Sequence, residues 1–270
     1  MTTHDPLLIN VNLPLHELLK NASPNQLNML VDIVTDKGKG RVSLNNDVKE
    51  LLMRQKNDNT LHLSTQLLAR EICNFGGNTL VNLVRTGTID YCEVVKDVAK
   101  KLGAKVPKST NLIEIEELVI RKALEKILQD KTSSTSLEQL CIQHGVEFDH
   151  YILEKLKQQG DISALAYSIL CYAGPYAISN VLTAALMSGS GIAQGATLAM
   201  MGATTTTVAR STMLLNPVIA VLSATWLTYD LSGPAYRVTI PAVICIAAIR
   251  QEWCKSMTDY YCMELKKCLY

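Results

Sequence analysis

The sequence predicts an all-α protein, a multi-helix bundle built in two unlike halves. Three observations predict it. Apolar residues recur at helical spacing up to Gly160, with helix-start and helix-stop residues between the runs. No convincing run of alternating strand residues occurs. Charge is very unevenly distributed: 20 basic and 20 acidic side chains occur up to Gly160, whereas Ile162 to Ile249 holds only Arg210, Asp230 and Arg237. A solvent-facing helix keeps a polar face, and this second stretch has little to make one from.

The first half carries ordinary helix punctuation. Ser23-Pro24 is a cap followed by proline at the first helical position. Leu27, Leu30, Val31 and Val34 follow on one face, and Asp36 to Gly40 stops that helix. A second helix is expected from Asn46 to about Gln55, and a third from about Leu61 to Phe75. Gly76-Gly77-Asn78 is a break, with a helix resuming near Thr79. Tyr91 to Leu102 is amphipathic and closed by Gly103. Asn111 and Glu114 have the spacing of a capping box ahead of Leu118, Val119, Leu124, Ile127 and Leu128. Lys131 to Ser136 is the best linker. Ser136 with Gln139 suits the cap of a helix ended by Gly145, and Asp149 opens a short one that stops at Gly160. The expected division is residues 1–134, a soluble helical domain for regulation or partner binding, and residues 135–270, an apolar helical unit.

That second unit is interrupted at Gly174-Pro175, Asn216-Pro217 and Gly233-Pro234. Its Gly- and Ala-rich centre places Gly191 and Gly195 in a GxxxG, with Gly202 seven residues on. Small residues on one helix face let backbones approach, a favoured packing mode in lipid. Ser211 to Tyr229, which holds Pro217 and Trp226, runs 19 residues without charge, close to a bilayer-spanning length. Val238 to Ile249 is β-branched enough to suggest a strand, but Ala242, Ala247 and Ala248 favour helix. Gln251 to Tyr270 is amphipathic, with Trp253, Tyr260, Tyr261 and Tyr270 beside Lys255, Lys266 and Lys267, a mix suited to a membrane interface. Against insertion stand frequent Ser, Thr, Asn and Gln and the polar run Thr204 to Thr207. The competing reading is a buried helical core wrapped by the first half. Arg237 and Asp230 lie in apolar surroundings where a lone ion is costly. Pairing between them, or of Arg237 with an acidic residue of the first half, is expected.

Composition excludes several classes. Net charge is +1 and both halves are near neutral, so no basic field marks a nucleic-acid surface. Aromatics make up 5 %, too few for base-stacking platforms. None of the eight cysteines forms a CxxC, and residues 1–10 lack a signal-peptide pattern, so a cytoplasmic protein with reduced thiols is expected. Cys141 and His144, with His150 nearby, have metal-ligand spacing but no second pair; a buried thiol and surface imidazoles are the expected reading. The run Gly189 to Gly202 lacks the Lys-Ser/Thr ending of a P-loop. His16-Glu17 is followed by Lys20 where HExxH needs histidine, and no nucleophile elbow or kinase signature occurs. Cys254, Cys262 and Cys268 are candidate lipid-attachment thiols, though ordinary helix-surface thiols are the preferred reading. No catalytic residue, metal or cofactor is therefore expected.

Two strings are distinctive: FGGNTLVNLVRTGTIDYCEVVKDVAKKLGAKV (Phe75 to Val106) and SGPAYRVTIPAVICIAAIR (Ser232 to Arg250). Both resemble uncharacterised bacterial proteins of the YaaW type, which are loosely grouped with the ubiquinol–cytochrome c chaperone domain. The resemblance implies a helical protein with no established activity and no catalytic residues to carry over. The positions that carry it are Phe75, Gly76, Gly77, Asn78, Arg85, Tyr236, Arg237 and Pro241. Arg85 and Tyr91 are side chains in the first string suited to partner contact.

The functional expectation is a non-enzymatic protein whose apolar C-terminal helices conditionally contact, enter or permeabilise a membrane. Helix–helix contacts through Gly191, Gly195 and Gly202 would be exchanged for lipid-state contacts. The alternative is a soluble chaperone-like module that holds a protein client. Expected partners are a membrane or a client, and a second copy of the chain; nucleic acid is not among them. The expected place is the cytoplasm with inner-membrane association.

Overall fold

A computed structural model of the chain describes residues 13–41, 44–76, 89–108, 111–129, 139, 141–142, 160–189 and 235–268. Among them stand eight α-helices, one 3-10 turn and no strand, so the chain is an all-α multi-helix bundle. The helices are α1 (Leu15–Leu19), α2 (Pro24–Thr35), α3 (Asn46–Asn57), α4 (Thr65–Gly76), α5 (Tyr91–Lys101), α6 (Leu112–Gln129), α7 (Ile162–Gly189) and α8 (Tyr236–Cys268). The expected helix from Leu61 is divided: Leu61–Ser64 forms the 3-10 turn and α4 follows without a gap.

Local chemistry sets the helix boundaries. Ser23 Oγ accepts from the Gln26 N–H at 3.3 Å, and Gln26 Oε1 accepts from the Ser23 N–H at 2.8 Å, a complete capping box. Past the far end of α2, Asp36 takes the left-handed conformation with φ 52. Asn45 Oδ1 caps α3 by accepting from the Asp47 N–H at 2.7 Å. Asn111 Oδ1 accepts from the Glu114 N–H at 3.0 Å, but the return bond runs from Asn111 Nδ2 to Glu114 Oε1 and not to the backbone.

The core is organised around α8. From Val238 to Arg250 every residue of this helix is buried, three and a half turns with no face to solvent. It packs against α1, α2, α4, α5, α6 and α7. The core therefore draws Leu18, Leu30, Ile72 and Ile120 together with Ile240 and Ile246, on both sides of residue 134. Val238 to Ile249, the apolar end of the charge-poor stretch, is in this fold the axis of the bundle. Beyond Arg250 the same helix emerges: Tyr260, Met263 and Leu265 are exposed.

Candidate functional site

The two distinctive strings meet in space. Phe75 and Gly76 end α4, and the Phe75 carbonyl accepts from the Ala235 N–H at 3.0 Å, one residue before α8 begins. Gly76 faces Val94 of α5 so closely that no side chain fits there. The ammonium of Lys101, the last residue of α5, lies 5.1 Å from the ring centre of Tyr236, the first residue of α8. Pro241 is buried one turn into α8. Having no N–H, it cannot donate the usual helical hydrogen bond to the turn before it. Arg237 itself is exposed.

At the other end of the buried stretch, three consecutive α8 residues reach three different partners. Arg250 Nε donates to Glu116 Oε2 of α6 at 2.8 Å, and both side chains are fully buried. Gln251 Nε2 lies 3.5 Å from Glu117 Oε1, also on α6. Glu252 Oε2 accepts from Gln26 Nε2 of α2 at 2.8 Å. The second oxygen of Glu116 accepts from the Tyr91 hydroxyl at 3.0 Å, and Arg250 Nη1 approaches the Leu13 carbonyl at 3.5 Å. Burial raises the Glu116 carboxyl above its ordinary range, opposed by the Arg250 charge and by hydrogen bonds from Arg250 and Tyr91. Burial, reinforced by the Glu116 charge, pushes the Tyr91 phenol well above 10.

Tyr91 also forms the inner wall of a cavity of about 770 Å³ between the start of α1, α4 and the turn into α5. Its lining mixes Leu63 and Ile89 with His16, Arg70, Asp90 and Cys73. Burial, and to a lesser degree Asp90, pushes the Cys73 thiol up to about 12, so it stays protonated at neutral pH and is a poor nucleophile. Among the described residues no group of three His, Cys, Asp or Glu side chains converges as metal ligands do.

The last feature is the surface of α7. Between Ile162 and Thr183 it is long and apolar enough to cross a membrane, and 28 % of its most apolar stretch is buried. It carries no charged residue, and Tyr167, Cys171 and Tyr172 are exposed along it.

Of the residues expected from sequence, Phe75, Gly76, Tyr236 and Pro241 converge on the α4–α8 junction. Gly77, Asn78 and Arg85 lie outside the described residues, as do Gly191, Gly195, Gly202, Pro217 and Trp226. The buried ion is Arg250, while Arg237 sits at the surface; Asp230, one of its two expected kinds of partner, is outside the described residues. Tyr91 does not face a partner: it is 4 % exposed and turned inward to Glu116. The reading from sequence missed Glu116 and Arg250. Glu116 was discoverable, since it falls on the same face as Val119, Ile120 and Ala123, where an apolar residue is expected.

Comparison with known proteins supports the YaaW-type resemblance. The chain is 24 % identical over 236 residues, 87 % of its length and 89 % of the relative's, to a "UPF0174 protein" of Helicobacter pylori. It is 28 % identical over 247 residues, covering 87 % of this chain and 92 % of the other, to the "UPF0174 protein YaaW" of Escherichia coli K12. A second Helicobacter pylori "UPF0174 protein" is 24 % identical over 188 residues, 68 % of this chain and 87 % of that one. No protein-family model and no solved structure matches the chain.

Proposed function

We propose that this YaaW-type relative is a non-enzymatic helical protein that engages a membrane conditionally, with α7 as the element that meets lipid. One observation carries the reading: α7 offers 22 uncharged residues, Ile162 to Thr183, with 28 % of their most apolar stretch buried and Tyr167, Cys171 and Tyr172 exposed. An apolar helix that is neither charged nor fully buried is the kind of surface a bilayer or an apolar partner covers. The buried half of α8 takes the opposite role, as the fixed axis on which α7 is carried. In the lipid-engaged state the small residues Gly191, Gly195 and Gly202 would supply close helix contacts.

Flotation of the purified chain with vesicles of mixed neutral and anionic phospholipid tests the reading, together with release of an entrapped dye. Co-flotation with dye release supports insertion, and co-flotation alone supports surface binding. A chain that stays at the bottom of the gradient across pH and lipid charge, and co-purifies with a stoichiometric protein instead, rejects the membrane reading in favour of client holding.

A further inference from the structure

We infer that the bend at Gly174 belongs to the packed state of α7, and that the helix straightens there into one membrane-crossing rod. The inference rests on the membrane reading and names the change of shape it requires.

Gly174 interrupts α7 with φ 81 and ψ 153. That combination is open to glycine and strained for any residue with a Cβ. Pro175 follows, with its φ fixed at the value a new helix start needs. The bend lets two segments of one helix each lay a face on the bundle. Leu165, Ala166 and Ile169 are buried before it, and Ile178, Val181 and Leu182 after it. Immediately past the bend, the Lys255 ammonium of α8 lies 4.8 Å from the ring centre of Tyr176. That contact clasps the second segment to the central helix.

In lipid the requirement reverses. A helix of 22 residues rises about 33 Å when straight, which matches a hydrocarbon core of about 30 Å. Bent at its middle, neither segment is long enough. Straightening returns Gly174 to ordinary helical φ, where a Cβ meets only the Pro175 ring and no longer the strain of the bend. Pro175 still withholds one hydrogen bond from the Cys171 carbonyl, a defect that membrane helices tolerate through neighbouring groups.

Gly174→Ala is a usable probe, because a Cβ at this position meets nothing within 4 Å beyond its chain neighbours. The substitution therefore strains the bent backbone, against a smaller cost in the straight helix from the Pro175 ring. Flotation with phosphatidylcholine–phosphatidylglycerol vesicles would compare wild type, Gly174→Ala and Lys255→Met, with circular dichroism to confirm helical folding. The expected result is a rise of about tenfold in vesicle partitioning for Gly174→Ala, the scale on which backbone strain of this kind shifts a two-state equilibrium. Lys255→Met should raise it about threefold by opening the clasp. A folded Gly174→Ala chain that partitions like wild type, or less, overturns the straightening while leaving the membrane reading in place. Should Gly174→Ala fail to fold, an unchanged Lys255→Met overturns it. Absence of binding by wild type and both variants removes the membrane reading itself.

Discussion

Val94 occupies the space that a side chain on Gly76 would need: a Cβ built on Gly76 lies 2.3 Å from Val94 Cγ2. The neighbour is a stiff β-branched side chain with no free end to swing away. Gly76→Ala is therefore expected to destabilise the fold by about 1–3 kcal/mol through overpacking. Val94→Ala should recover part of that loss in the double variant, because the two sites are in contact and not additive. Urea unfolding of the single and double variants measures it. A double variant at the sum of the two single losses would mean that the two residues do not compete for this space.

The Glu116–Arg250 pair makes a second cycle possible. Removing either partner leaves an uncompensated charge in a fully buried site. Arg250→Leu is therefore expected to cost about 3–5 kcal/mol. Glu116→Leu with Arg250→Leu should regain part of it, because two apolar side chains need no ion partner there, while the buried Tyr91 hydroxyl loses its acceptor. Denaturant midpoints of the three variants decide the matter. A double variant as unstable as Arg250→Leu alone would assign the loss to packing of the Arg250 stem.

Alkaline stability follows from Cys73. An ordinary thiol ionises near 9, whereas burial holds this one to about 12. Between those values the unfolded chain releases a proton that the folded chain keeps. The contribution is complete below pH 9 and is lost as pH rises toward 12, at up to about 1.4 kcal/mol per pH unit for each such proton. Tyr91 acts in the same direction, because its phenol is also raised. Urea midpoints at about pH 8, 9.5 and 10.5 should fall steadily. Cys73→Ala should fall less steeply than wild type, and parallel slopes would show that Cys73 ionises freely in the folded protein.

Local features of this fold were legible in the sequence, and long-range ones were not. Ser23, Pro24 and Gln26 act on one another within four residues, so their spacing alone announces the cap. Gly103, with φ 90 after α5, is legible for the same reason. Glu116 and Arg250 are remote in sequence, and no local pattern says that they meet. The placement of α8 is hidden for a different reason. A helix covered on all sides by protein and one covered by lipid carry the same all-round apolar pattern. Val238 to Ile249 belongs to the core only by virtue of α1, α2, α4, α5, α6 and α7 standing around it, and those contacts leave no mark on the strip's own pattern. Bent α7 is the converse case. Gly174-Pro175 marks the interruption without saying that regular helix resumes directly beyond it.

The position of α8 also has a consequence for the order in which the protein is made. Its helices α1 to α6 emerge from the ribosome first, yet the strip of side chains that fills the space between them lies at Val238 to Ile249. Until that strip is translated, Leu18, Leu30, Ile72 and Ile120 have no central partner to bury against. A growing chain therefore pairs its earlier helices with one another while the central strip of its core is still missing. Nascent chains stalled before residue 235 are the species on which chaperones would act.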